Sequence, residues 1–364
     1  MSDDDQRPVL WRDEDLGLTL RRGDEVTLSK STYDTAIEAL KAREFEQAAR
    51  LIEYTFEEAQ EPQDVYASWS KLVPQFLLDN GVDPAIIAGE EQRIATLIRH
   101  RDGRPFDFES GWERHRALIA EAAACCRAEE SDAAIVAIEN ARTYWQDDHD
   151  RKCDWVCEIL AAIPRHLGEE RVVDFWDLGM SVWYPNYRRF RLENQDWNLS
   201  SRQLVDMGIL ALRGHLTGPG RRGDIAIRDE GDCIALEFAP CGSGGRTFNT
   251  ASDGTSPRLE PPYNHAVVQG NHDWAWNKAG VCLYCTHCCR LGQQKSAEML
   301  GFPARVISPP IWPQARDKAV CTWRIYKDPS LVPEEAYTQI GKSPPAVAAV
   351  STSPRQTSGH RSGK

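Results

Sequence analysis

The stretch Glu44-Phe-Glu-Gln-Ala-Ala-Arg-Leu-Ile-Glu-Tyr-Thr-Phe56 carries the pattern that decides most of the fold. Leu51 and Ile52 follow Ala48 by three and four positions, which places these apolar side chains on one face of an α-helix. Comparable patterns continue along the chain to about residue 215. We therefore predict a helical body over residues 30–215, in which each helix buries one face.

The helical body contains an internal similarity. Residues 44–96 align with residues 130–182, and Trp69 then falls on Trp155. Such self-similarity is typical of a duplicated unit; chance similarity is the alternative. The first predicted four-helix unit consists of residues 31–42, 45–60, 63–79 and 84–97. The second consists of residues 112–127, 131–145, 150–166 and 169–178. Residues 1–29 form a lead-in, with a short strand predicted at residues 25–28.

Short alternating strands replace the helical pattern in residues 216–340. Asp224–Arg228 and Cys233–Phe238 flank a Glu-Gly-Asp turn, which predicts a β-hairpin. Val320–Tyr326 alternates like a last strand, and residues 291–300 are expected to be helical. Residues 341–364 are rich in Pro, Ser and Ala and should be disordered. The predicted fold class is mostly α, with duplicated four-helix units followed by a cysteine-rich C-terminal α+β domain that holds a small antiparallel sheet.

Composition excludes several classes of partner. The chain has 364 residues, 55 acidic against 43 basic, and a net charge of −12, so a phosphate backbone would be repelled and no nucleic-acid partner is expected. No apolar run reaches the roughly 20 residues of a membrane span, so no membrane partner is expected. The acidic N-terminus does not resemble a secretory signal. We expect a cytoplasmic protein whose eleven cysteines are reduced.

Four thiols and an imidazole lie within the eight residues Cys282-Leu-Tyr-Cys-Thr-His-Cys-Cys289. Cys282 and Cys285 are spaced to grip one zinc or other transition-metal ion, with His287 or Cys288 as a third ligand. A fourth ligand would come from Cys241, His272 or Cys321. A redox dithiol and buried structural thiols are the alternatives. Cys288 and Cys289 precede a predicted helix, whose dipole favours a thiolate nucleophile if no metal is bound.

A glycine-rich loop follows the strand that ends before Cys241. Its residues Gly242, Ser243, Gly244 and Gly245 can present backbone N–H groups to an anion or oxyanion, and Arg246 can pair with a substrate carboxylate. Cys241 at the lip of this loop could be a nucleophile or a metal ligand. A plain glycine turn at the end of a strand is the alternative.

The segment His272-Asp-Trp-Ala-Trp276 supplies candidate proton carriers and aromatic walls. His272, with Asp273, could act as the base for a thiol or as a metal ligand. Trp274 and Trp276 could stack on a planar substrate. A surface histidine beside core tryptophans is the alternative. His149 is a further base or ligand candidate, although Asp150 beside it could simply cap a helix.

The C-terminal third resembles the 2-aminothiazoline-4-carboxylate hydrolase family and, more distantly, the four-vinyl-reductase-type small-molecule-binding domain. The resemblance lies in a strand ending in Cys241, in the cysteine cluster at 282–289, and in the closing strand Cys321-Thr-Trp-Arg-Ile-Tyr326. The chain also looks like uncharacterised bacterial proteins that share the motifs Arg213-Gly-His215, Pro-Cys-Gly-Ser-Gly-Gly-Arg246 and His-Asp-Trp-Ala-Trp276. The hydrolase family opens a sulfur- and nitrogen-containing ring with a cysteine, and the resemblance places that role on Cys241. The cluster, the glycine-rich loop and the helical body depart from the family.

These observations favour a cysteine- or metal-dependent hydrolase that acts on a small anionic, cyclic or aromatic compound. In this hypothesis Cys241 attacks or ligates an activating metal, His272 moves the proton, and Arg246 holds the substrate carboxylate. The alternatives are a non-catalytic zinc-containing module that binds a small molecule, and a metal-dependent oxidoreductase or lyase.

Overall fold

The computed structural model describes residues 8–100, 102–251 and 254–345. Most of these residues are helical, and a four-stranded antiparallel sheet lies in the C-terminal part. The predicted fold class, mostly α with a small antiparallel sheet in the C-terminal part, is therefore confirmed. In the part of the chain that the structure describes, no helix is both long and apolar enough to cross a membrane.

The helices before the C-terminal sheet run in the order α1 (Glu25–Ser29), α2 (Thr32–Lys41), α3 (Phe45–Asp79), α4 (Pro84–Leu97), α5 (Phe108–Arg127), α6 (Ser131–Leu160), α7 (Ala162–Leu167), α8 (Val172–Gly179) and α9 (Trp197–Gly214). Their cores are built from the small and large apolar residues that recur at helical spacing. Ala48, Leu51 and Ile52, the residues that predicted an amphipathic helix, are fully buried in α3.

Helices α3 and α6 are each longer than predicted. Residues 45–60 and 63–79 form the single helix α3, which continues through Pro62, and residues 131–145 and 150–166 lie mainly in the single helix α6. The polar residues that predicted a loop in α6 are buried instead: Asp148 pairs with Lys152 one turn later. The predicted count of four helices is therefore wrong for the first unit, which has three (α2, α3 and α4). The second unit has four (α5 to α8), but with other bounds than predicted.

The lead-in is more ordered than its sequence predicted. Strands β1 (Leu10–Asp13) and β2 (Leu18–Arg21) form an antiparallel hairpin. The predicted strand at residues 25–28 is wrong, because these residues form α1. Asp24 caps that helix by accepting a hydrogen bond from the backbone N–H of Thr27 at 2.8 Å.

The C-terminal sheet has the order β3 (Ala226–Asp229), β4 (Cys233–Phe238), β6 (Cys321–Tyr326), β5 (Val306–Ser308), with every neighbouring pair antiparallel. The predicted hairpin and last strand are confirmed, whereas β5 was not predicted. The cysteine-rich segment forms α10 (Thr286–Cys288), a π-helix (Cys289–Lys295) and α11 (Ser296–Leu300), and α12 (Glu334–Thr338) follows the sheet. Most of the predicted tail, residues 346–364, lies outside the described residues.

Helix α9 joins the helical body to the sheet. A Cβ on Gly214 would lie 1.9 Å from the carbonyl oxygen of Glu58 in α3, so only glycine allows this approach. Pro62 has no N–H to donate to that carbonyl, which leaves it open for the approach of α9. One turn and a half earlier, Gly208 packs against Leu236 of the sheet. The end of α9 is thereby fixed between α3 and the C-terminal part.

Candidate functional site

A cavity of about 410 Å³ lies between α3, α9, the C-terminal sheet and the cysteine-rich segment. Most of its wall is apolar and includes Trp69, Trp276, Tyr284 and Trp323. A small number of polar and sulfur-containing side chains interrupt this wall. Mainly apolar walls with a few convergent polar groups are typical of small-molecule sites.

Four partly exposed thiols face this cavity. They belong to Cys241, Cys285, Cys288 and Cys321. The fold thus brings to one cavity the glycine-rich loop, the cysteine cluster and the last strand, which the sequence analysis identified as separate motifs. Burial raises the pKa of Cys241, Cys288 and Cys321, so these three thiols are neutral in the free protein.

Cys288 and His287 form a thiol–imidazole pair. The Sγ atom of Cys288 lies 3.2 Å from Nε2 of His287, and Nδ1 of His287 lies 2.6 Å from the carbonyl oxygen of Tyr284. A carbonyl oxygen only accepts, so we assign the proton of the neutral ring to Nδ1. Burial lowers the pKa of His287 to about 4, which keeps the ring neutral. Its Nε2 is then an acceptor aimed at the thiol.

Aromatic rings hold His287 in this orientation. The centroids of Trp69, Trp176 and Tyr284 lie 5.5, 5.6 and 4.8 Å from that of His287. Trp69 belongs to α3 and Trp176 to α8, so the helical body positions the imidazole. A nucleophile, a base and a group that orients the base are therefore present together.

The glycine-rich loop wraps around its own cysteine. The backbone N–H groups of Ser243 and Gly245 lie within reach of the Cys241 sulfur, but burial outweighs them and raises the pKa of this thiol. The raised pKa disfavours the stabilised Cys241 thiolate that the sequence predicted. A Cβ on Gly242 would lie 1.5 Å from the His215 carbonyl oxygen, and one on Gly244 would lie 2.3 Å from Cys285 Sγ. The glycines thus allow close packing of the loop.

Arg246 does not face the cavity. It is buried and donates to Asp154 Oδ1 at 2.5 Å and to the Asp150 backbone oxygen at 2.8 Å, and its Nε lies 3.2 Å from Asp150 Oδ1. Burial alone would raise the pKa of both carboxyls, but the guanidinium groups around them, including Arg246, hold both below the usual range. The structure does not support the predicted contact of Arg246 with a substrate carboxylate, because the donors of Arg246 already serve two carboxylates of α6.

Arg305 and Glu61 are charged groups of the cavity wall. Among the described residues, no carboxylate lies within ion-pair distance of Arg305, and no residue forms a hydrogen bond with its Nε. The guanidinium of Arg305 lies 5.1 Å from the centroid of the Trp323 ring. Water reaches Glu61 from the cavity, yet the surrounding protein raises the pKa of this carboxyl to about 7, against a smaller opposing effect of Arg305. Arg305 can therefore hold an anion, and Glu61 can exchange a proton near neutral pH.

A second set of imidazoles reaches the cavity from the helical body. Nδ1 of His149 donates to Asp150 Oδ1 at 2.9 Å, because a carboxylate can only accept. Burial lowers the pKa of His149 to about 4, so its Nε2 is an acceptor, 3.0 Å from Nδ1 of His215. The Tyr66 hydroxyl also lies 3.3 Å from this Nε2. Because two imidazole lone pairs would repel at 3.0 Å, we assign a proton to Nδ1 of His215. His215 lines the cavity, and within the described ranges its Nε2 has no hydrogen-bond partner.

The segment His272–Trp276 contributes only its last residue to the cavity. His272 lies outside the cavity wall; its Nε2 is 2.8 Å from Glu169 Oε2, and its ring stacks on Trp274. The backbone oxygen of Asp273 accepts from Cys289, and Trp274 belongs to the core. The structure therefore does not support His272 and Asp273 as partners of Cys241, or Trp274 as a substrate wall. Trp276 lines the cavity and donates to Gln293 Oε1 at 2.9 Å.

The four predicted metal ligands lie in one short segment but have separate environments. Cys282 is buried, and its neighbour Cys285 lowers the pKa of its thiol to about 7, while Cys285 faces the cavity. His287 uses both ring nitrogens, one of them toward Cys288. Among residues 8–100, 102–251 and 254–345, no group of three or more His, Cys, Asp or Glu side chains is placed to hold a metal ion. As these side chains lie, they do not fit a zinc site, and no step below uses one.

Sequence reasoning missed Glu61 and Arg305 as site residues. Glu61 precedes Pro62, in a segment where the sequence predicted a boundary between two helices. Nothing in the surrounding sequence distinguishes Glu61 from an acidic residue on the protein surface. Arg305 lies in an irregular stretch before β5. His215 was visible within the Arg213-Gly-His215 motif, but only tertiary contacts reveal its link to His149.

Comparison with known proteins adds no relative: no protein-family model, no curated protein and no solved structure matches the chain. The resemblance to the 2-aminothiazoline-4-carboxylate hydrolase family therefore stays a prediction.

Proposed function

We propose that this protein is a cysteine-dependent hydrolase of a small anionic compound with a cyclic or aromatic body. The observation that carries the proposal is the 3.2 Å approach of Cys288 Sγ to an imidazole nitrogen of His287 in a mainly apolar cavity. We move the nucleophile from Cys241 to Cys288, because Cys288 has a base in hydrogen-bond contact and Cys241 has none among the described residues.

The substrate class follows from the cavity wall. The wall is mainly apolar, and the partly exposed Trp323 offers it an aromatic surface, which suits a planar ring. Arg305 offers a guanidinium with no carboxylate partner in the part of the chain that the structure describes, and this suits a carboxylate or similar anion. The volume of about 410 Å³ lies within the range of small-molecule sites.

In the first half of the reaction, the Cys288 thiol transfers its proton to His287 Nε2 as the sulfur attacks the electrophilic carbon of the substrate. The bond from that carbon to the leaving group breaks, and the leaving group takes the proton from His287. The hydrogen bond from Nδ1 to Tyr284 keeps His287 in the tautomer that this transfer requires. Water then cleaves the bond between carbon and sulfur.

The experiment compares single cysteine variants with 4-nitrophenyl acetate as an activated probe ester. We expect Cys288→Ser to lose at least about 1,000-fold in turnover, as removal of a nucleophile does in other enzymes. Cys125→Ser is the matched control, because Cys125 is also free and partly exposed but lies in α5, outside the cavity wall. Both variants should keep the melting temperature of the parent, since each exchanges one sulfur for oxygen.

Two outcomes would contradict the proposal. If Cys241→Ser abolishes turnover and Cys288→Ser does not, the nucleophile is Cys241. If the parent protein does not turn over the probe and no adduct forms on Cys288, the cavity serves binding without catalysis. That second function, a small-molecule-binding module, rests on the same apolar cavity and Arg305.

A further inference from the structure

We infer that His215 is the general base that activates water in the second half of the reaction, and that His149 and Asp150 hold it in the required tautomer. This inference rests on the proposed function, because it assigns the step that regenerates Cys288. Nothing in the first half requires His215.

The hydrogen bonds run in one direction toward the cavity. The Asp150 carboxylate accepts from Nδ1 of His149 at 2.9 Å, and His149 Nε2 accepts from Nδ1 of His215 at 3.0 Å. The hydroxyl oxygens of Tyr66 and Ser243 lie 3.1 and 2.9 Å from the same Nδ1 of His215. Three neighbours thus surround Nδ1, and Nε2 is the ring nitrogen left to accept a proton from a molecule in the cavity.

Asp150 is fixed at the far end of this chain. Arg221 donates to its Oδ1 at 2.8 Å and Arg246 lies 3.2 Å from the same oxygen. These guanidinium groups keep Asp150 ionised, so it can only accept from His149. Arg246 therefore acts through Asp150, which gives the arginine of the glycine-rich loop a positioning role in place of the predicted substrate contact.

His215 and His287 both line the cavity, and a series of aromatic ring contacts connects them. Tyr66 and Tyr284 lie between them, with ring centroids 5.7 Å from His215 to Tyr66, 6.3 Å from Tyr66 to Tyr284 and 4.8 Å from Tyr284 to His287. Each nucleophilic species thus has a separate neutral imidazole: His287 contacts the thiol, and His215 is free to contact a water molecule.

Water hydrolyses the acyl group on Cys288 with His215 as the base. The oxygen of water bonds to the acyl carbon while one water proton moves to His215 Nε2. The carbon–sulfur bond breaks, and its electron pair leaves on Cys288 as a thiolate. The proton on His215 then returns to that thiolate, directly or through water, and the product leaves as the acid.

Loss of this base should separate the two halves of the reaction. We test it with His149→Gln in the full chain, with 4-nitrophenyl acetate as the probe. The burst of 4-nitrophenolate, which reports acylation of Cys288, should keep its rate and amplitude. The steady rate should fall about 100-fold, which is the usual contribution of a positioned base, and an acetyl adduct on Cys288 should accumulate in the mass spectrum.

His115→Gln is the matched control. His115 is a fully buried histidine of α5 that stacks on Trp145, but it lies outside the cavity wall, and no described residue forms a hydrogen bond with either of its ring nitrogens. A general effect of replacing a buried imidazole would appear in both variants. A fall in the steady rate of similar size in His115→Gln, or an unchanged steady rate in His149→Gln, would overturn the inference. Absence of both turnover and an adduct on Cys288 in the parent would instead overturn the proposed function.

A spectroscopic readout tests the tautomer without any substrate. In ¹⁵N NMR of histidine-labelled protein, His215 should carry its proton on Nδ1 and none on Nε2. In Asp150→Asn the amide can donate to His149, which reverses both tautomers and moves the His215 proton to Nε2. A proton on Nε2 of His215 in the parent protein would rule out its role as the base.

Discussion

Replacement of Arg246 by methionine distinguishes a structural arginine from a substrate-binding one. The side chain of Arg246 is 7% exposed and that of its partner Asp154 is 4% exposed, so the variant leaves a buried carboxylate without its closest cation. Breaking a buried pair in this way costs about 3–5 kcal/mol. Asp154 keeps Arg258 at 3.1 Å and Asp150 keeps Arg221 at 2.8 Å, which places the expected loss at the lower end, about 3 kcal/mol.

The loss is measured by urea denaturation at pH 7. The sign of the pH dependence is fixed by the lowered pKa values of Asp150 and Asp154. Their contribution is fully present above the unfolded pKa of about 4 and disappears as the pH falls through the lower folded values. At pH 7 these ion pairs therefore make their full contribution to the stability of the parent protein. Arg305→Met is the control, and it should change stability by no more than about 0.5 kcal/mol. A loss below about 1 kcal/mol in Arg246→Met would refute this account of its ion pairs.

Two further predictions concern Glu61 of α3 and Gly214 of α9, which packs against α3. Because the folded pKa of Glu61 is raised to about 7, its contribution to stability is fully present below the unfolded pKa and is lost as the pH rises through 7. The variant Glu61→Gln should therefore be more stable than the parent above pH 7 but not below about pH 4.5. Equal pH profiles of the two proteins in thermal unfolding would contradict this prediction. Gly214→Ala should lose about 1–3 kcal/mol in urea unfolding, because its Cβ would meet the Glu58 carbonyl oxygen. Gly89→Ala in α4 meets nothing within 4 Å and should gain up to about 1 kcal/mol, so equal effects of the two alanines would reject the packing argument.

Periodicity was enough to predict most of the secondary structure. Alternation in Cys233–Phe238 and Cys321–Tyr326 identified two strands that the structure pairs, with Phe238 opposite Cys321. Local sequence patterns failed to predict the structure where burial against residues distant in the sequence determines it. Asp148 and His149 predict a loop by composition, but α6 buries them against residues from other elements, and the helix continues.

The site was predictable as a set of motifs but not as a set of contacts. The sequence could show that Cys241, Cys288 and His215 stand in unusual surroundings, and the fold places all three on one cavity. The sequence could not show which arginine forms ion pairs with carboxylates. Arg246 and Arg305 are alike in sequence terms, and only the position of α6 leaves the first bound to carboxylates and the second open to the cavity.

The joint between α9 and α3 at Gly214 has a thermodynamic consequence for any ligand. Glu61 and Trp69 come from α3, whereas Cys288 and Arg305 come from the far end of the chain, so the binding volume exists only while these parts are docked. A ligand that requires the docked state must stabilise docking by RT ln(1 + [L]/Kd), about 2.7 kcal/mol at a hundredfold excess over Kd. Hydrogen exchange in α3 and in the sheet should therefore slow together when the cavity fills, although most of these amides never touch the ligand.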